Sequence, residues 1–102
     1  MTPAEAEWLL AECRRKIDAI DEQLRELLNQ RAEIVDGVVR AKEALALPVH
    51  EPKREADVIR RATSGNPGPL GDDALRQIFE AIMREMRQIQ QVYLDRQQGK
   101  PQ

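Results

Sequence analysis

From Pro3 to Pro48 the chain contains no helix breaker except a lone glycine, Gly37, and no cluster of turn-forming residues. The stretch opens with Thr2-Pro3-Ala4-Glu5, which reads as an N-cap hydroxyl, a proline at the first helical position and a capping-box glutamate. Leu10, Cys13, Ile17, Ile20, Leu24, Leu27, Ile34, Val38, Ala41 and Leu45 recur in steps of three and four, interrupted only where Arg31 stands. That is the period of a helix packed along a seam. At 1.5 Å per residue such a helix is roughly 60 to 65 Å long, whereas a compact domain of about 100 residues has a radius of gyration near 13 Å. The rest of the chain is too short to cover it. The physical expectation is therefore a homodimer in which two long helices pack antiparallel about a twofold axis, intertwining the chains.

Two further helices follow from where the chain is punctuated. Leu47-Pro48-Val49-His50-Glu51-Pro52 forbids a continuous helix, and Ser64-Gly65-Asn66-Pro67-Gly68-Pro69-Leu70-Gly71 is dense in turn formers. Between and after them lie a short helix from about Glu51 to Ser64 and a long one from about Asp72 to Gln97. The last carries the stripe Leu75, Ile78, Phe79, Ile82, Met86, Ile89 and Tyr93. With 102 residues and only 3% aromatic side chains, the reading is all-α, one domain over 1–102 with its core at about 12–91 and a flexible tail at 98–102. A formal charge of −2 provides no general attraction to nucleic acid or to an anionic membrane. The lone Cys13 makes no intrachain disulfide, and with the lone His50 it makes no metal cage. No signal-peptide pattern or membrane span is evident, so the expected address is cytoplasmic.

The seam position of Arg31 is the first hint of chemistry, because a guanidinium where Leu or Ile belongs is costly unless it meets an anion. That anion is either a protein carboxylate such as Glu33 or Asp36, or a ligand. Lys42 lies eleven residues on, within about 20° of Arg31 on the helix face and about 16 Å along the axis, so the two long basic side chains can converge on something between them. Alone, Lys42 is an ordinary surface lysine. Arg14 is about 25 Å before Arg31, but in an antiparallel dimer it can enter the partner's site; otherwise it is an exposed arginine. Glu51, Arg54 and Glu55 open the second helix, where the glutamates are explicable as macrodipole partners and Arg54 is not. Gly37 marks close approach either of another helix or of substrate.

Taken together, Arg14-x-x-Ile17-Asp18-x-Ile20-Asp21-x-x-Leu24-x-x-Leu27-Leu28-x-x-Arg31, Ala41-Lys42, Pro48-Val49, Arg54-Glu55, Ile78-Phe79 and Gln90 resemble the all-helical AroQ chorismate mutases, from about Glu12 to Gln91. The resemblance implies three helices per chain, a dimer with two shared sites, chorismate as substrate and no cofactor or metal. It implies that Arg14 of the other chain, Arg31 and Arg54 hold the two carboxylates of chorismate. Lys42 and Gln90 then donate to the ether oxygen, with Lys42 also reaching a carboxylate, and Glu55, with the backbone N–H of Glu51, engages the ring hydroxyl. Met86 stands where many relatives have a serine that donates to a carboxylate, and Glu51 where an aspartate is common.

Conversion of chorismate to prephenate is a unimolecular Claisen rearrangement. Arginine forks that clamp two carboxylates and fixed donors at the ether oxygen suit it, since charge grows there as the C–O bond breaks. Two alternatives stand beside this reading: an isochorismate pyruvate lyase of the same fold, and a non-catalytic helical dimer or regulatory domain, for which Met86 speaks. A fusion or complex with another shikimate-pathway enzyme is also compatible.

Overall fold

The computed structural model describes residues 1–99. It consists of three helices, α1 (Pro3–Leu45), α2 (Pro52–Thr63) and α3 (Asp72–Gln97), and the architecture is all-α. The tail anticipated at 98–102 extends beyond the described residues at 100–102. Among the described residues no helix is long and apolar enough to cross a membrane.

Each helix begins and ends for identifiable reasons. At the start of α1 the Thr2 hydroxyl accepts from the Glu5 backbone N–H at 3.1 Å and donates to Glu5 Oε1 at 3.0 Å, so the cap read from the sequence is formed. The helix stops in a Schellman arrangement. Leu47 N–H donates to the Lys42 carbonyl at 2.8 Å and Ala46 N–H to that of Glu43 at 3.2 Å, with Ala46 in the left-handed region at φ 56°. Pro48 then prevents any continuation. Pro52 at the first position of α2 needs no N–H partner, and the Glu55 N–H closes the first turn on the Glu51 carbonyl at 3.0 Å. Asn66 organises the approach to α3. Its amide donates to the Leu70 carbonyl at 2.7 Å and to Asp72 Oδ1 at 2.9 Å, while its own oxygen accepts from the Gly68 N–H at 3.1 Å.

The chain divides into two compact units, Met1–Glu33 and Ile34–Gln102. In the first no side chain is buried, and Trp8, Ile17, Ile20, Leu24 and Leu27 are each more than half exposed. In the second, α2 packs on α3. The buried apolar side chains there are Val35, Val39, Met83 and Met86, joined by a single buried polar one, Gln90.

The seam read from the sequence is not the face of α1 that this second unit covers. Ile34 and Leu45 lie open to solvent, and the inward-facing residues of α1 are Val35 and Val39. Val35, Val39 and Lys42 are spaced four and three apart and therefore share one face. The longest row of apolar residues lies elsewhere on the helix, whereas this short stripe is the one the same chain covers. No atom among the described residues lies within 4 Å of a Cβ built on Gly37, so packing within the chain does not account for that glycine.

Ala46 adopts a backbone conformation that suits glycine far better than an L-residue with a Cβ. Ala46→Gly is expected to raise the unfolding free energy by about 0.5–1 kcal/mol, the relief of left-handed strain exceeding the added chain entropy. Urea titration against the parent chain measures this, and an unchanged or lower midpoint would contradict it.

Candidate active site

Lys42 is placed by the last full turn of α1, just before the helix is broken. Its side chain is only 12% exposed, and an ammonium so far removed from water is tolerated when its three N–H bonds find acceptors. Three are present. Nζ donates to the Val49 carbonyl at 2.8 Å and to Gln90 Oε1 at 2.8 Å, and lies 3.1 Å from Glu51 Oε1. The loop after α1, the residue preceding α2 and the buried face of α3 thus converge on one cation. A small crevice beside it is lined by Lys42, Glu43 and Gln90 together with the apolar side chains of Val39, Leu47, Val49 and Leu94.

This contact also orients Gln90. An ammonium can only donate, so the glutamine must turn its oxygen toward Lys42, which leaves its NH₂ free to donate elsewhere. No buried side-chain nitrogen or oxygen among the described residues lacks a partner. The Gln90 amide nitrogen makes no hydrogen bond to the protein, so it remains reachable from outside.

A second polar group lies between α2 and α3. Arg87 Nη1 donates to both oxygens of Glu55, at 2.6 and 2.7 Å, and His50 Nε2 lies 3.8 Å from Glu55 Oε2. Sequence reading missed Arg87. One signal was available: Arg87 precedes Gln90 by three residues and therefore shares its side of α3. It also missed the Val49 carbonyl, a backbone group that no side-chain pattern announces.

The remaining candidates stand apart from these clusters. Arg54 is exposed on α2, and Arg14 and Arg31 belong to the first unit, Arg14 exposed and Arg31 half-buried. None of the three makes an ion pair or hydrogen bond among the described residues. Glu33 and Asp36, the carboxylates offered as neutralising partners for Arg31, do not pair with it; Asp36 pairs with Arg40 at 3.2 Å. Met86, 7% exposed, belongs to the buried core rather than to the crevice lining.

The arrangement can hold two donors, the Lys42 ammonium and the Gln90 amide, in fixed relation to each other. It pairs Lys42 with Glu51 and Glu55 with Arg87, while Arg14, Arg31 and Arg54, like Arg25 and Arg61, have no counterion among the described residues. Nothing in it resembles an activated nucleophile, which would need a base within hydrogen-bond reach.

The chain is similar to known proteins in sequence and in fold. The family described as chorismate mutase type II matches residues 13–91. A chorismate mutase of Methanocaldococcus jannaschii is 30% identical over 94 residues, covering 89% of this chain and 93% of that protein. A bifunctional chorismate mutase/prephenate dehydratase of Neisseria gonorrhoeae is 38% identical over 77 residues, covering 76% of this chain but 21% of that protein. The chain thus spans about a fifth to a quarter of the length of its bifunctional relatives. Among solved structures, the chorismate mutase of Helicobacter pylori in complex with prephenate superposes with a TM-score of 0.79 at 29% identity, covering 85% of this chain and 94% of that one. With a family match reaching from Cys13 to Gln91, across most of α1, all of α2 and most of α3, this chain belongs to the type II chorismate mutases.

Proposed function

We propose that the chain rearranges chorismate to prephenate, and that Lys42 and Gln90 are its catalytic donors. The observation that carries this reading is the 2.8 Å contact between Lys42 Nζ and Gln90 Oε1, which fixes two hydrogen-bond donors side by side in a largely water-excluded position. In the rearrangement one C–O bond breaks and one C–C bond forms within a single molecule, and no proton leaves or arrives. What the protein supplies is a compact substrate conformation and stabilisation of the negative charge that grows on the ether oxygen. Donors already held in place at that oxygen favour the transition state over the ground state. Substrate carboxylate takes over the Lys42 contact now made by Glu51, whose side chain is the more exposed of that pair at 33%.

The substrate dianion is held by arginines, which grip carboxylates through planar forks. Arg31 and Arg54 serve from one chain and Arg14 from the partner subunit in a homodimer. The unpaired state of all three and the bare apolar residues of Met1–Glu33 support this assembly, since an uncovered stripe of Ile and Leu is stabilised by a second copy. Glu55, with the Glu51 backbone, accepts and donates at the ring hydroxyl. Met86, buried one turn before Gln90, brings no donor, so carboxylate binding rests on the arginines. The bifunctional relatives support placing the chain next to another enzyme of the same pathway, as a fusion or a complex.

Loss of chorismate absorbance with product identification tests the assignment; formation of pyruvate instead of prephenate would select the lyase reading. Gln90→Ala is expected to lower kcat by about 10²–10³, the typical loss of one transition-state donor. Because an amide does not titrate, parent activity should change little around neutral pH, whereas Gln90→Glu should work only where its carboxyl is protonated.

Shared sites have their own signature. Arg14→Ala and Lys42→Ala chains, each inactive alone, are expected to recover about a quarter of parental activity after equimolar exchange. Half the dimers are then mixed, and each mixed dimer has one intact site. No recovery, with exchange verified by mass spectrometry, would place Arg14 outside the partner's site.

A further inference from the structure

A carboxylate that meets the substrate hydroxyl, the role proposed for Glu55, must be held still. A glutamate side chain carries several rotatable bonds, and a carboxylate that wanders accepts poorly from a hydroxyl presented at one place. Here a single nitrogen restrains it. Arg87 Nη1 donates to Oε1 at 2.6 Å and to Oε2 at 2.7 Å, straddling the carboxylate and so setting the direction in which its remaining lone pairs face. Of about four acceptor positions on an ionised carboxylate this uses two, and the others stay open to an incoming hydroxyl.

The pair differs from the ion pairs that run along single helices. Arg15–Glu12, Arg40–Asp36, Arg60–Asp57 and Arg76–Asp73 join residues three or four apart on one helix surface. Arg87–Glu55 joins α3 to α2 across 32 residues of sequence, with side chains only 31% and 23% exposed. It is also three residues from Gln90 on the same helix, so whatever fixes Arg87 is built on the element that presents the catalytic amide.

We propose that Arg87 is a positioning residue that acts on the substrate through Glu55, holding the carboxylate in the orientation that accepts the ring hydroxyl. The proposal rests on the chorismate mutase reading of the site. Lysine is an incomplete substitute, since a point charge on a flexible stem does not reproduce the reach and planarity of a guanidinium.

The test is a double-variant cycle on chorismate turnover, with kcat and KM measured separately and thermal unfolding followed in parallel. Arg87→Met is expected to lower kcat/KM about tenfold to a hundredfold, the cost of a loosely placed contact. Arg87→Lys should recover part of this, and Glu55→Ala/Arg87→Met should be no slower than Glu55→Ala alone, because the arginine has lost the group it acts through. Parental kcat/KM in Arg87→Met, with or without a lower unfolding temperature, identifies a purely structural clamp and overturns the proposal. So do losses that multiply in the double variant. If Arg87→Met does not fold, Arg87→Lys carries the same comparison. A parent chain that leaves chorismate unconsumed overturns the reading beneath, and this is seen before any variant is compared.

Discussion

The second unit depends on how one ammonium is satisfied. Lys42, nearly withdrawn from solvent, keeps its charge tolerable only by donating to Val49, Gln90 and Glu51 together, and those acceptors come from a loop, from α3 and from the residue that caps α2. An unpaired buried cation is far more costly than a paired one, so this demand organises the chain around it. The Schellman turn at Ala46 and Leu47 stops α1 where the backbone can double back and bring the Val49 carbonyl to Nζ. The same contact settles which way the Gln90 amide faces.

The two apolar stripes of α1 differ in whether their own chain covers them. Val35 and Val39 are covered within their own unit, while Ile17, Ile20, Leu24, Leu27 and Ile34 are not. A helix with one covered and one uncovered stripe carries two apolar rows, and a sequence read for one dominant period reports the longer. The four buried apolar residues form a slight core for a chain of this length, which is why a large uncovered stripe has physical weight.

Much of the site was visible as residue types in order, and less of it as contacts. Lys42 and Gln90 were recognisable as members of a pattern, and the structure brings them to 2.8 Å of each other. Glu51 was expected to contribute its backbone, and the structure engages its carboxylate with Lys42. Met86 was placed among the substrate-facing residues and is buried. Arg87 went unnoticed because its partner lies 32 residues away on another helix, and a lone arginine beside a helical stripe has no local signature.

The sequence by itself determined the helices, their ends and the family, because breakers, caps and apolar periods act over a few residues and are written in consecutive positions. Tertiary structure decided which of two stripes on α1 is covered by its own chain, what satisfies Lys42, and that Glu55 meets Arg87. Those choices rest on distances between residues remote in sequence, where desolvation and hydrogen-bond geometry act only once the helices have packed.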